Sequence, residues 1–122
     1  MGVMHTDKKM SDWKKLIDAS EDSLWRGTVL RFPASYPFED TVDFMLLDDF
    51  NSESGFSLVC TSGYKAGLFE GRLPNEAKAQ GKVSAISVKW LIRNWNKWVF
   101  PVNDIKDIYF IKNYPEPEKI NA

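Results

Sequence analysis

Histidine and cysteine are almost absent from the sequence. Its 122 residues include one histidine, His5, and one cysteine, Cys60. Structural zinc sites, disulfide frameworks and catalysis by cysteine–histidine or serine–histidine pairs need more of these side chains than the chain has. His5 lies in a polar N-terminal segment, and Cys60 ends the apolar run FSLVC, where a free thiol usually behaves as a small buried hydrophobe. We therefore expect no catalytic residue, no metal ligand and no bound cofactor.

Long apolar runs and an excess of one charge are also missing. No stretch approaches the roughly 18 apolar residues of a membrane-spanning helix, and the N-terminus lacks the apolar core of a signal peptide. Sixteen basic and seventeen acidic side chains give a net charge of −1, which favours neither a general nucleic-acid binder nor an acidic tail protein. These features predict a cytoplasmic protein that does not contact membranes.

Glycine and serine motifs for catalysis or phosphate binding are missing as well. Gly63, Gly67 and Gly71 are spaced four residues apart, which fits neither a dinucleotide-binding nor a P-loop pattern. No serine has the flanking glycines of a nucleophile elbow. A hydrolase with a pair of carboxylates is the enzyme class that the residues leave open, and no sequence feature marks a sugar site for it.

Aromatic residues are abundant and indicate one folded domain. They make up 14% of the chain, with five tryptophans, eight phenylalanines and four tyrosines. This composition is far from the apolar-poor composition of disordered chains. We interpret residues 1–10 as a flexible leader, residues 11–114 as the domain and residues 115–122 as a frayed tail.

The periodicity of apolar residues predicts an α+β fold. Ser11 is expected to cap a short helix that carries Trp13, Leu16 and Ile17 on one face. Ser87 is expected to cap the principal helix, which ends before Pro101, although its Val, Trp and Ile residues leave a strand as the rival interpretation. The predicted strands are LWRGTVLRF, TVDFMLLDD, FSLVCTS, AGLFEGRL and a last strand within DIKDIYFIKNY. The expected architecture is a mostly antiparallel sheet of about four to six strands with one principal helix packed on one face.

An acidic segment lies between Pro37 and Gly55 and contains no basic residue. One interpretation is a solvated hairpin edge whose charges prevent pairing with other chains. The other is a recognition surface for a basic protein, with Tyr36, Phe38 or Phe50 as apolar anchors. The candidate contact residues are Glu39, Asp40, Asp43, Asp48, Asp49, Glu53 and Phe50.

A second charged segment, residues 81–103, combines basic residues with tryptophans and contains no acid before Asn103. Tryptophans at near-helical spacing in a small domain usually belong to the core. A protein interface is another interpretation, and a binding site for single-stranded nucleic acid within residues 82–98 is a third, with Trp95, Trp98, Arg93 and Lys97 as its contacts. The basic residues are Lys82, Lys89, Arg93 and Lys97, and the tryptophans are Trp90, Trp95 and Trp98.

A further pattern spans roughly residues 25–112 and is densest around the tryptophan segment. Its residues are Gly67, Leu68, Leu73, Pro74, Glu76, Ala77, Trp90, Leu91, Asn94, Trp95, Trp98 and Pro101. This pattern resembles the immunity protein 45 family, which are small bacterial immunity proteins of polymorphic toxin systems. The resemblance implies that the chain is not an enzyme, and that it binds and neutralises the C-terminal domain of a cognate toxin delivered by contact-dependent growth inhibition or by secretion-based competition. It also implies that the shared residues maintain the fold, whereas the acidic segment suits a toxin with a basic cleft such as a nuclease.

Overall fold

The computed structural model describes residues 12–81 and 84–120. Within them the chain forms eight strands and one α-helix, joined by turns and short 3-10 helices. The strands are β1 Lys14–Lys15, β2 Ser23–Leu24, β3 Val29–Pro33, β4 Thr41–Asp48, β5 Phe56–Cys60, β6 Phe69–Arg72, β7 Ile86–Ser87 and β8 Tyr109–Ile111, and the helix is α1 Val88–Trp98.

Six of these strands form one antiparallel sheet in the order β1-β8-β3-β4-β5-β6. Strands β3 to β6 follow one another as a meander, joined by residues 34–40, 49–55 and 61–68. Strands β2 and β7 pair separately with each other. The predicted α+β architecture, a mostly antiparallel sheet with one principal helix, is confirmed.

The core lies between α1 and one face of the sheet. Alternation along β4 turns Val42, Phe44 and Leu46 inward, and all three are buried. They share one apolar cluster with Leu91 and Trp95 of α1. A helix with a single apolar stripe is stable in this position because burial of that stripe contributes most of its stability.

A hydrogen-bond chain ties the C-terminal half of α1 to the sheet. The Nε1–H of Trp95 donates to Oδ1 of Asn103 over 2.8 Å. The amide Nδ2 of Asn103 donates in turn to the carbonyl of Pro33, also over 2.8 Å. The Trp95 ring meets Phe32 edge-on, with centroids 5.1 Å apart. Trp95 is therefore fixed by both packing and hydrogen bonding.

The predicted N-terminal helix is wrong. Trp13 precedes β1, and the chain continues into the 3-10 helix Leu16–Asp18, with Ile17 exposed. Trp13 and Leu16 belong to separate buried clusters rather than to one helical face. An isolated helix of about two turns is marginal, and pairing of β1 with β8 satisfies the backbone instead. The proposed cap, Ser11, and the leader, residues 1–10, lie outside the described residues.

The first predicted strand is divided in two. Gly27 adopts a φ of +88°, in the left-handed region that glycine tolerates, and its N–H donates to the carbonyl of Leu46. The turn around it separates β2, which pairs with β7, from β3, which enters the main sheet. The strand pattern of LWRGTVLRF continues through Gly27 without a break, so it gave no sign of this turn.

None of the helices in residues 12–81 and 84–120 has the length and apolar character needed to cross a bilayer.

Candidate functional site

Two of the predicted acidic contacts are engaged in holding the fold. Glu39 accepts the backbone N–H of Tyr64 over 3.1 Å, and this bond lowers the pKa of the Glu39 carboxyl. Asp43 accepts two hydrogen bonds from Arg31, at 2.7 and 2.8 Å. The Arg31 guanidinium also stacks on the ring of Trp13, 4.0 Å from its centroid. Glu39 and Asp43 therefore serve the sheet and its loops.

Asp49 is the acid that organises the β4–β5 connection, residues 49–55. Its carboxylate accepts hydrogen bonds from the Ser57 hydroxyl, from the backbone N–H of Asn51 over 2.9 Å and from Nε of Arg72 over 3.2 Å. The Ser57 bond, followed by those of Asn51 and Arg72, lowers the pKa of Asp49. Three elements, β4, β5 and β6, are thereby joined through one side chain.

Two buried serines fix the rest of this connection. The Ser52 hydroxyl donates to the carbonyl of Leu73 over 2.8 Å. The Ser54 hydroxyl accepts the N–H of Phe56 over 3.1 Å and lies 3.1 Å from the Ser52 hydroxyl. The loop backbone is therefore held in place before any partner arrives.

The remaining acids are exposed, and two of them flank an exposed phenylalanine. Asp48, Glu53 and Phe50 lie at the β4–β5 end of the sheet, and we call these three residues the hairpin tip. Phe50 is fully solvent-exposed. Arg26 lies 4.0 Å from Asp48 with both side chains mostly in water, so this ion pair is weak. Asp40 lies beyond the other end of β4, about 26 Å away for a strand of this length.

The three aromatic side chains proposed as anchors have different environments. Tyr36 and Phe50 are exposed. Phe38 is half-buried and packs against the core, with its ring centroid 6.0 Å from Phe44 and 5.8 Å from Phe100. The expectation that Phe38 is exposed is therefore wrong, because its ring packs against the core from the 34–40 loop.

The outward face of α1 is the second charged surface. Lys89, Arg93 and Lys97 are exposed, and they follow one another at intervals of four residues. Trp90 and Trp98 lie beside this row, with ring centroids 6.2 Å apart, and Trp98 is 37% exposed. We call these five residues the helix surface. The prediction that this segment is a helix capped by Ser87 is confirmed by the Ser87 Oγ that accepts the Trp90 N–H over 3.1 Å.

The structure removes part of the predicted nucleic-acid site. Trp95 is 1% exposed and belongs to the core, so its ring cannot stack on a base. Trp95 lies seven residues after Val88 and therefore on the same buried face, whereas Trp90 and Trp98 lie elsewhere around the helix, so their near-helical spacing did not place the three tryptophans on one surface. Lys82 lies outside the described residues.

The residues of the family motif are distributed between core and surface. Leu73, Leu91 and Trp95 are buried, Pro74 and Trp90 are half-buried, and Glu76 and Pro101 are exposed. Asn94 is half-buried on α1, and its Nδ2 donates to the carbonyl of Trp90 over 2.9 Å.

Sequence reasoning missed the cations that neutralise the acidic segment. Arg31 and Arg72 lie outside residues 37–55, so counting charges along that segment gave no sign of them. Strand register supplies the missing signal, because Arg31 is directly opposite Asp43 in the β3–β4 pair.

In the described part of the chain, no three histidine, cysteine or carboxylate side chains are placed to hold a metal ion.

Comparison with known proteins gives one match. A family model described as immunity protein 45 matches residues 16–110 of the chain. That range extends from the buried Leu16 through all of α1 into β8. No curated protein and no solved structure matches the chain.

Proposed function

The chain belongs to the immunity protein 45 family, and from this membership we propose that it binds a cognate bacterial toxin domain and neutralises it by occlusion, without catalysis of its own. The match over residues 16–110 is the observation that carries the proposal. The protein acts in the bacterial cytoplasm, where it protects its producer from toxins exchanged in contact-dependent competition. Its partner is the C-terminal domain of such a polymorphic toxin.

We propose the hairpin tip as one contact with the toxin. An exposed phenylalanine is a suitable anchor, because aromatic side chains that fill a pocket contribute much of the affinity of protein interfaces. The exposed carboxylates of Asp48 and Glu53 steer the tip towards a basic cleft, such as the phosphate-binding cleft of a nuclease. The hydrogen bonds of Asp49, Ser52 and Ser54 favour binding further, since a loop that is already ordered loses little conformational entropy.

The residues of the acidic segment have two different roles, support of the fold and contact with the toxin. Glu39, Asp43 and Asp49 hold the loops and strands, and Asp48, Phe50 and Glu53 contact the toxin. Asp40 and Tyr36 lie at the opposite end of β4 and form a weaker candidate contact.

Co-production with the toxin tests the function. The toxin domain encoded directly upstream of the gene is induced in a bacterial host with or without the full chain. We expect growth arrest with the toxin alone and normal growth when the chain is also present. Continued arrest in the presence of soluble, folded chain would show that it gives no immunity to this toxin.

Two variants test the hairpin tip. We expect Phe50→Ala, and separately Asp48→Lys with Glu53→Lys, to weaken toxin binding at least tenfold in calorimetric titration, because each removes the anchor or reverses the steering charge. The matched control reverses the exposed acids Asp18 and Glu116, which lie outside the hairpin. If the tip variants bind as tightly as the control, the toxin contacts another surface.

A further inference from the structure

The cations on the outward face of α1 repel one another along the helix, although Lys97, in the last turn, suits the helix dipole. Lys89 and Arg93, and again Arg93 and Lys97, are like-charged pairs four residues apart, which repel each other on a helix surface. Lys89 also lies in the first turn, where the positive end of the helix dipole favours acids, and this turn contains none. Nothing in the packing of α1 requires these cations, because its core side chains are Val88, Leu91 and Trp95.

Among the described residues, no acid forms an ion pair with the cations on this face, although Asp22 and Glu76 line the groove beside Lys89 and Arg93. In the part of the chain that the structure describes, the ion pairs use Arg26, Arg31, Arg72, Lys106 and Lys112, and none includes a cation of α1. The acidic segment between Pro37 and Gly55 differs, because three of its carboxylates, those of Asp43, Asp48 and Asp49, have arginine partners. By contrast, none of the three cations of the helix surface has an ion-pair partner among the described residues.

An aromatic row runs beside the cations. Trp90 and Trp98 are separated by eight residues, so they lie on one side of the helix, adjacent to the row of Lys89, Arg93 and Lys97. The Nζ of Lys97 lies 5.9 Å from the centroid of the Trp98 ring. Trp90 also lines a surface groove of about 690 Å³ together with Lys78, Lys89 and Arg93. Apolar area next to unpaired charge is the usual composition of a protein-binding surface.

We infer that the helix surface is a second contact with the toxin and receives an acidic patch of that protein. This inference rests on the proposed function, because the partner is the same toxin domain. Charge complementarity identifies the partner's surface: a row of three cations about 12 Å long matches carboxylates on a protein. Two contacts of opposite sign, the acidic hairpin tip and the basic helix surface, also fix the orientation of the toxin.

Three features favour a protein over a nucleic acid here. Trp95 is buried, and the rings of Trp90 and Trp98 are inclined at 48° to each other, so they form no common platform for stacked bases. Asp22 and Glu76 line the same groove as Trp90 and repel a phosphate backbone. A protein partner can place its own cations against these two acids.

The test reverses the three cations together in the full-length chain. The variant is Lys89→Glu, Arg93→Glu, Lys97→Glu, and its control is Lys14→Glu, Lys106→Glu, Lys119→Glu, which changes the net charge equally at exposed sites elsewhere. Both are titrated with the purified upstream-encoded toxin domain at low and high salt. Urea unfolding checks the fold. The variant is expected to be about as stable as the wild type, because an acid at position 89 suits the helix dipole, an acid at position 97 opposes it, and the row of like charges is kept.

We expect at least tenfold weaker binding and a smaller salt dependence for the helix variant, with the control within twofold of the wild type. Wild-type binding together with unchanged binding by the helix variant overturns the inference and leaves the proposed function intact. Absence of wild-type binding overturns both. A salt-dependent quenching of tryptophan fluorescence by a 20-nucleotide oligothymidine, lost in the helix variant, assigns the surface to nucleic acid and also overturns the inference.

Discussion

Asp49 shows how a single carboxylate supports a surface that it does not itself form. Its oxygens accept bonds from β5 and β6 side chains and from the backbone of its own loop. Because these bonds are donated to the ionised carboxylate, the folded state stabilises that form. The pKa of Asp49 therefore lies below its ordinary value of 3.8, chiefly because of the Ser57 hydroxyl. The exposed Phe50 follows it directly, so the position of the anchor depends on Asp49.

The depressed pKa of Asp49 predicts a pH-dependent contribution to stability. The contribution is complete above the unfolded-state pKa and is lost as the pH falls through the lower folded-state pKa. We expect Asp49→Asn to lower the midpoint of urea unfolding at pH 7, and this difference from the wild type to shrink as the pH is reduced towards 3. Asp48→Asn, at the exposed neighbour, is the control. A difference between wild type and Asp49→Asn that stays constant from pH 7 to pH 3 would contradict this role.

At the scale of single elements, α1 has a polar N-cap residue, Ser87, but no acidic residue in its first turn. The Ser87 hydroxyl accepts the Trp90 N–H, while the first turn carries Lys89 rather than Asp or Glu. The cap therefore supplies the favourable interaction at a helix end whose charge is unfavourable. Trp90 and Lys89 of the helix surface lie within this first turn.

Two substitutions of the N-cap residue Ser87 should have different effects on the free energy of unfolding. We expect Ser87→Ala to lower the free energy of unfolding by about 1 kcal/mol, because the Trp90 N–H loses its acceptor. Ser87→Asp keeps an acceptor and adds a charge that suits the dipole, so it should match or exceed the wild type. Urea unfolding at pH 7 measures both, and equal loss in the two variants would show that the β7 position of Ser87 matters rather than its cap.

Elements with a strong period of their own were predictable, and those defined by distant partners were not. β4 alternates the buried Val42, Phe44 and Leu46 with partly exposed neighbours, and α1 has both a cap and an apolar stripe, so the residues themselves determine these elements. β1 has two residues and exists because β8 pairs with it, although β8 lies more than ninety positions later. The charged surfaces follow the same rule: exposure of Asp48 and Glu53 was predicted, but neutralisation of Asp43 depends on β3 register.

At the scale of the whole molecule, the last strand in the sequence, β8, joins the first strand, β1, to the rest of the sheet. β8 lies between β1 and β3, and the carbonyl of Ile108, just before it, accepts the N–H of Leu16 over 2.9 Å. Ile108, Phe110 and Ile111 are all buried. By contrast, residues 115–120 form no helix or strand, and apart from Pro115 they are exposed.

This arrangement predicts a sharp boundary near residue 114. We expect a chain ending at Tyr114 to keep its unfolding midpoint and its protection against the toxin, because none of the described residues that it loses, 115–120, is buried. A chain ending at Asp107 should not fold: it loses three buried apolar side chains, each contributing about 1.5–3 kcal/mol, and the stability of a typical domain is about 5–15 kcal/mol. Circular dichroism and growth with the co-produced toxin measure both chains. Loss of stability in the longer chain would place the end of the domain within residues 115–122, beyond the boundary predicted at 114.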